Sequence, residues 1–222
     1  HEEYRYQNVY QSGYFPVAGT LEEGKLGRFS EWDYGFDFYA PQTYETADGR
    51  RILYGWMGIP DADYQNPTTP LGWQHCLTLP REVTVGEDGR LLQQPVRELE
   101  ALLSAPTKLE GAGTLPKVCV LKLTRTQPNF ALTLAGGLTL EYREEVGVFS
   151  LSFAEKTLGA GRTKRQSKGM ACNTLEVVVD ASSLEVYLDG GTQVFSTRFC
   201  PESYPVSYTL TGGAGTVSSV NL

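Results

Sequence analysis

Apolar and polar residues alternate along most of the chain from residue 106 onward. The alternation is clearest where Leu184, Val186 and Leu188 point one way and Glu185 and Tyr187 point the other. This period of two is typical of strands with one face on a core. Turn residues separate the segments, and no helical period lies between them, so the pattern predicts an antiparallel β-sandwich over residues 106–222. The predicted strands cover residues 118–124, 130–135, 138–143, 148–153, 175–180, 184–189, 193–199 and 206–210.

The first 95 residues differ in composition and pattern: they contain many Tyr, Trp and Pro residues, and their apolar positions are irregularly spaced. Strands are predicted over residues 51–56, after the turn Asp48-Gly49, and over residues 91–93. These strands are too few for a complete core. The region is therefore interpreted as an incomplete β architecture, a piece of a propeller or barrel whose sheet edges lack partners.

A short segment between the two regions carries a helical period. Val96, Leu99 and Leu102 follow Pro95 and precede Pro106, which predicts a connecting helix over residues 96–105. We therefore expect an all-β chain in which residues 1–95 and 106–222 are separate units.

Composition excludes several function classes. The 222 residues include 19 Lys plus Arg and 26 Asp plus Glu, and the net charge of −7 argues against nucleic acid as a partner. No apolar run reaches the roughly 18 residues of a membrane span. Two histidines cannot form a three-His metal site, so neither a metal nor another cofactor is expected.

The four cysteines, Cys76, Cys119, Cys172 and Cys200, follow no zinc-binding spacing. They are too few for a disulfide scaffold. We expect reduced, mostly buried thiols rather than bridges, and therefore a cytoplasmic protein.

Several short segments stand in an order and spacing that point to a family. They are residues 33–42 (DYGFDFYAPQ), 55–57 (GWM), 72–73 (GW), 75–82 (HCLTLPRE), 94–99 (QPVREL), 180–187 (DASSLEVY) and 196–199 (STRF). Together they resemble glycoside hydrolase family 32, the invertases, levanases and sucrose-6-phosphate hydrolases. Residues 75–82 are most similar to the bacterial sucrose-6-phosphate hydrolase branch.

The resemblance implies a five-bladed β-propeller that carries the active site, followed by a β-sandwich. On this basis residues 1–95 correspond to the end of blade four and to blade five, and residues 106–222 to the complete sandwich. The expected reaction is hydrolysis of terminal β-fructofuranosyl bonds with retention, which uses two carboxylates about 5 Å apart.

The family's three catalytic motifs are Asn-Asp-Pro, Arg-Asp-Pro and a Glu-Cys pair, and this sequence contains none of them. We therefore expect the chain to be inactive alone. Because it starts at His1 with no initiator methionine, we also expect it to be the C-terminal part of a longer enzyme.

Three residues are predicted to bind substrate. Tyr39 and Trp56 can stack on a sugar ring or donate a hydrogen bond, and by resemblance they lie near the catalytic funnel, with Asp37 beside them. The alternative for the two aromatic residues is packing between blades. The alternative for the carboxylates of Asp33 and Asp37 is capping of a turn, which we favour for Asp33.

Other charged residues are interpreted as structural. Arg81 and Glu82 suit an ion pair between the two units, and Glu185 a structural acceptor. The basic cluster Arg162, Lys164, Arg165 and Lys168 is interpreted as a solvated hairpin loop far from the funnel.

The expected partners are sucrose, sucrose 6-phosphate or a fructo-oligosaccharide in the intact enzyme. Self-association through exposed blade edges is expected as well. Two other functions stay open at this point: a non-catalytic carbohydrate-binding sandwich and a structural or dimerisation module.

Overall fold

The computed structural model describes residues 3–20 and 22–221, so His1 lies outside the described residues. The chain is almost entirely β-structure, as the alternating pattern predicts. Four two-residue strands open it, with β1 paired to β4 and β2 paired to β3. They are β1 (Gly13–Tyr14), β2 (Val17–Ala18), β3 (Lys25–Leu26) and β4 (Ser30–Glu31).

A five-stranded antiparallel sheet follows, in the order β5-β6-β8-β9 with β7 also paired to β6. Its strands are β5 (Tyr39–Glu45), β6 (Arg51–Met57), β7 (Cys76–Leu77), β8 (Arg81–Val85) and β9 (Leu91–Pro95). One 3₁₀ helix (Thr69–Leu71) interrupts the long β6–β7 connection. A second (Arg97–Leu102) lies inside the segment predicted as a linker helix.

Residues 107–219 form two six-stranded antiparallel sheets, which together with their connections we call the paired sheets. The first has the order β10-β21-β12-β17-β18-β19 and the second β11-β20-β13-β14-β15-β16. Their strands are β10 (Thr107–Leu109), β11 (Ala112–Leu115), β12 (Cys119–Arg125), β13 (Asn129–Leu134), β14 (Leu138–Arg143), β15 (Val148–Phe153), β16 (Lys164–Lys168), β17 (Thr174–Val179), β18 (Ser183–Leu188), β19 (Gln193–Arg198), β20 (Val206–Thr211) and β21 (Gly213–Ser219), with a single helical turn α1 (Lys156–Gly159) before β16.

The main core lies between these two sheets. Leu184, Val186 and Leu188 of β18 point into it, as their spacing predicts, and meet apolar residues of the second sheet such as Leu140 and Leu151. A tight turn at Asp189 and Gly190, both with positive φ, joins β18 to β19. The eight strands predicted for this region are all present within one or two residues.

The opposite face of the first sheet does not face solvent. Val178, Tyr187 and Val194 form a second apolar cluster, packed against Leu79 and Leu99 of the preceding region. As a result every residue of β18 and β19 is buried. The two regions therefore share a closed seam along these strands.

The fold also bears on the state of the cysteines and on membrane-spanning helices. Cys76, Cys119, Cys172 and Cys200 are free thiols, as their spacing predicts, and Cys119 and Cys172 are buried. Among the described residues, no helix has the length and apolar character to cross a bilayer.

Candidate functional site

A cavity of about 190 Å³ lies where the β6–β7 connection meets the turn before β16. Asp37 and Arg162 line it on one side, and Asp61 and His75 line it on another. Of the three residues predicted to bind substrate, Asp37 lines this cavity, Trp56 contacts a lining residue, and Tyr39 is connected to it through Tyr10.

Asp37 lines the cavity directly and is almost completely buried. Its two carboxylate oxygens accept hydrogen bonds from Arg162 Nε at 2.6 Å and Nη2 at 2.7 Å. The backbone N–H of Arg198 donates to the same carboxylate at 2.8 Å. A buried charge needs such partners, so Asp37 is fixed in place by residues of the paired sheets.

Trp56 reaches the cavity through His75, whose ring meets the indole edge-on at 4.9 Å. Burial lowers the pKa of His75, and the positive charge of Arg198 lowers it further. Both effects favour the neutral imidazole, in which one nitrogen can donate and the other accept a hydrogen bond.

Tyr39 stands opposite Trp56 across the β5–β6 pair. A β-bulge follows it, and Ala40 has a φ of 44°, a conformation that non-glycine residues rarely adopt. Bulges re-aim the neighbouring side chain, and the Tyr39 ring lies 5.5 Å from that of Tyr10. Tyr10 donates to Asp61 of the cavity at 2.7 Å, and this bond raises the pKa of the phenol.

The cavity also contains residues that the sequence analysis did not place there. Arg162 is buried, stacks on Tyr64 at 4.2 Å and donates to Asn66 at 3.1 Å. Its assignment to a solvated loop far from the site was wrong, because the turn before β16 folds back onto the β6–β7 connection. No local signal could have shown this, since Asp37 lies 125 residues away in the chain.

Arg165 of the same basic cluster also forms hydrogen bonds: its guanidinium donates to Asn8 Oδ1 and to the Tyr64 hydroxyl. Of the four basic residues only Lys164 and Lys168 are exposed, and they lie in strand β16 rather than in the hairpin loop that the sequence predicts.

A second cluster of buried polar side chains, centred on Arg81, lies on the seam between the two regions. Arg81 is completely buried and donates to Asp33 at 3.1 Å and to Glu185 at 2.7 Å. The prediction of a cross-unit ion pair at Arg81 is confirmed, and Glu185 is the structural acceptor expected. Asp33 also accepts from the Gly35 N–H, the turn-capping role predicted for it.

Glu82 does not join this group. It lies 3.4 Å from Arg50 within the first region, because neighbouring side chains of a strand point to opposite faces. The expectation that Glu82 bridges the two units was wrong.

Comparison with known proteins gives matches over both regions. The model of the "Glycosyl hydrolases family 32 N-terminal domain" matches residues 1–95, and that of "Glycosyl hydrolases family 32 C terminal" matches residues 124–222. The sucrose-6-phosphate hydrolase of Bacillus subtilis is 37% identical over 99% of this chain and 48% of its own length. The raffinose invertase of Escherichia coli is 35% identical over 90% of this chain and 45% of its own length.

Solved structures share the fold. The sucrose-6-phosphate hydrolase of Lactobacillus gasseri superposes with a TM-score of 0.84 at 24% identity, over 97% of this chain and 49% of that one. A β-fructofuranosidase of Bombyx mori superposes with a TM-score of 0.82 at 26% identity, over 98% and 48%. The chain therefore spans about half the length of the relatives it matches.

Proposed function

The chain belongs to glycosyl hydrolase family 32, and from this premise we propose that it supplies the C-terminal part of a β-fructofuranosidase. The substrate is sucrose or sucrose 6-phosphate, cleaved at the fructosyl bond with retention. The observation that carries the proposal is that both family models match, in order, along one chain. A match to an enzyme family in both regions favours a glycosidase over a stand-alone binding or dimerisation module.

The names of similar proteins support the substrate class. The relatives include sucrose-6-phosphate hydrolases and a raffinose invertase, and a variant of the Bombyx mori enzyme is known in complex with sucrose. Because sucrose and sucrose 6-phosphate differ by one phosphate group, both are tested as substrates.

The proposal assigns an architecture to the observed sheets. The five-stranded sheet β5–β9 is interpreted as blade five of a propeller, and the short strands β1–β4 as the end of blade four. The two six-stranded sheets are interpreted as the sandwich. The units are then residues 1–95 and 106–222, with residues 96–105 as the linker.

Retaining hydrolysis needs a nucleophilic carboxylate and an acid/base carboxylate about 5 Å apart. The sequence has no Asp-Pro and no Glu-Cys pair, so we assign both groups to residues outside this sequence. Trp56 and Tyr39 then contribute the sugar-binding wall, and neutral His75 fixes the orientation of the indole. Asp37, held by Arg162, completes the polar side of the site.

We also place the protein in the cytoplasm, on the basis of its four unpaired thiols. Such thiols persist where glutathione and thioredoxin keep cysteine reduced.

The assay compares this chain alone with a joined protein, in which the chain follows the N-terminal half of the Bacillus subtilis relative. Release of glucose or glucose 6-phosphate is measured with sucrose and with sucrose 6-phosphate. We expect no turnover by the chain alone and turnover of at least one substrate by the joined protein.

Two results would contradict the proposal. Turnover by the chain alone would place the catalytic carboxylates within these residues. A folded joined protein that is inert on both substrates would argue against a β-fructofuranosidase. The alternative then to examine is binding of fructo-oligosaccharide by residues 106–222, measured by calorimetry.

A further inference from the structure

A groove runs along the seam between the two regions at the end opposite the candidate sugar site. It consists of two adjoining cavities of about 370 and 400 Å³ that share Arg5, Tyr34, Lys168 and Gln193 in their walls. This volume is in the range of small-molecule sites. Residues from both regions line it, so a ligand there would contact both.

Positive charge is concentrated in this groove on a chain whose net charge is −7. Its walls carry Arg5, Arg28, Arg90 and Lys168. Two carboxylates also line it: Glu31 in the 370 Å³ cavity, 3.9 Å from Arg5, and Glu3 in the 400 Å³ cavity. We call this set of four cations and their surroundings the basic groove.

Two of the four cations are not neutralised by the protein. Among the described residues, neither the Arg28 guanidinium nor the Lys168 ammonium group forms an ion pair or donates a hydrogen bond, and both residues are exposed. Lys168 only approaches the Tyr4 ring, at 5.3 Å. Arg90 pairs with Asp88 at 2.9 Å, in an exposed contact that contributes little.

Aromatic rings form the wall beside these cations. Tyr14 and Trp32 pack at 4.9 Å between ring centroids, and the Leu91 N–H donates to the Tyr14 hydroxyl at 3.1 Å. Both rings line the groove. Aromatic faces suit the apolar face of a sugar ring, and exposed guanidinium and ammonium groups suit a phosphate.

The basic groove is distinct from the candidate sugar site. Strand β19 joins the two places, with Gln193 in the groove and Arg198 beside Asp37. Five residue steps at about 3.3 Å per residue separate them by about 17 Å. A monosaccharide bound at one place does not reach the other.

We propose that the basic groove binds a phosphorylated monosaccharide, with Arg28 and Lys168 contacting the phosphate and the Tyr14–Trp32 wall contacting the sugar. Because Arg28 belongs to the first region and Lys168 to the paired sheets, the ligand bridges the seam. Binding therefore stabilises the chain against unfolding as well as occupying the groove.

The test is a calorimetric titration of the 222-residue chain with glucose 6-phosphate, inorganic phosphate and glucose, at low and high salt. We expect glucose 6-phosphate to bind, inorganic phosphate to bind several-fold more weakly, and glucose to give no heat. Affinity should fall as salt rises, because exposed charges are screened.

Variants locate the site. Arg28→Gln and Lys168→Gln should each weaken glucose 6-phosphate binding about five- to tenfold. Lys164→Gln is the matched control, because Lys164 is an exposed lysine on the same strand but lies outside the groove. Trp56→Ala should leave this binding unchanged, so the result is independent of the proposed hydrolase function.

Three outcomes would overturn the proposal: no heat with glucose 6-phosphate, an affinity unaltered in the Arg28→Gln and Lys168→Gln variants, or an equal loss in Lys164→Gln. Equal affinity for inorganic phosphate and glucose 6-phosphate would overturn the sugar contact and reduce the site to a free-phosphate site. Circular dichroism of each variant shows that the fold persists.

Discussion

Arg81 donates five side-chain hydrogen bonds at the seam between the two regions. Its guanidinium has no exposed surface and donates to Asp33, Gln93, Glu185 and Ser196 at 2.6–3.1 Å. Asp33 and Glu185 keep other donors, but Arg81 is the cation that faces both of these buried carboxylates. The arginine therefore holds together three segments that are distant in the chain.

Replacing Arg81 with leucine should lower the free energy of unfolding by about 3–5 kcal/mol, because Asp33 and Glu185 would remain buried without their cation. Urea unfolding measures the change. Arg97→Leu is the control, since Arg97 is 66% exposed in its pair with Asp48 and should cost less than about 1 kcal/mol. A similar loss of unfolding free energy in both variants would show that the buried ion pairs stabilise the chain no more than the exposed pair does.

The aromatic residues Tyr39 and Trp56 are predicted to bind the sugar. In the joined protein, Trp56→Ala should raise KM for sucrose about three- to tenfold, as expected for loss of one aromatic stacking contact. Tyr39→Phe removes only the hydroxyl and should give a smaller rise. Tyr44→Phe, on the outer part of the same strand β5, is the matched control.

Unchanged steady-state kinetics in both Trp56→Ala and Tyr39→Phe would instead assign the two rings to packing between strands. That is the alternative that the sequence left open.

At the scale of elements, the irregular segment from Asp33 to Asp37 covers the edge of strand β19. The Tyr34 N–H donates to the Val194 carbonyl at 2.8 Å, and the Asp37 N–H donates to the Ser196 carbonyl at 3.1 Å. Strand β19 would otherwise be an open edge of the first six-stranded sheet. Phe36 of this segment is inserted into the core between the two sheets.

The closeness of this pairing depends on Gly35. A Cβ at this position would lie 2.1 Å from the Ser196 carbonyl oxygen and 2.3 Å from its nitrogen, and neither atom can move without shifting β19. Gly35→Ala should therefore destabilise the chain by about 2–3 kcal/mol.

Gly86→Ala is the control for this substitution, because a Cβ at Gly86 would meet its neighbours at 3.4 Å or more. Thermal unfolding of the two variants compares them. A Gly35→Ala variant as stable as Gly86→Ala would mean that the segment detaches from β19 at little cost.

Four strands of the paired sheets were not predicted: β10, β11, β16 and β21. Strand β21 reads Gly-Ala-Gly-Thr-Val-Ser-Ser, and β16 reads Lys-Arg-Gln-Ser-Lys. Neither has the apolar alternation that marks a half-buried strand. These strands form because neighbouring strands pair with them: β21 lies between β10 and β12, and β16 pairs with β15.

At the scale of the whole molecule, the two regions are joined by more than the linker. Phe36 enters the main core, Leu79 and Leu99 cover the second cluster, and Asp37 is held by Arg162. The segments before residue 95 are thus part of the environment that keeps the paired sheets closed. The candidate sugar site and the basic groove both lie on this shared seam.

The first region still presents surface typical of an association site. Strand β5 pairs on one side only within the described residues, and Leu26, Leu77 and Val85 are more than 60% exposed. We predict that the chain self-associates between micromolar and millimolar concentration, as unpaired edges and apolar patches favour. Sedimentation velocity measures this.

A lysine on the edge should oppose that association. Tyr44→Lys on β5 is expected to shift the chain toward the monomer, whereas Val146→Lys, in the turn between β14 and β15, is not. A stable monomer at every concentration would contradict the prediction.

The sequence by itself determined the β class, the register of strands such as β18, and family membership. Each of these is encoded locally, in an alternation of period two or in a short ordered motif. Only the tertiary structure decided what faces the polar side of those strands. Arg162 looks like a solvated surface charge in the sequence, but Asp37, 125 positions away in the chain, makes it a buried partner. A charge is buried only where a distant opposite charge meets it, and that meeting is a property of the fold.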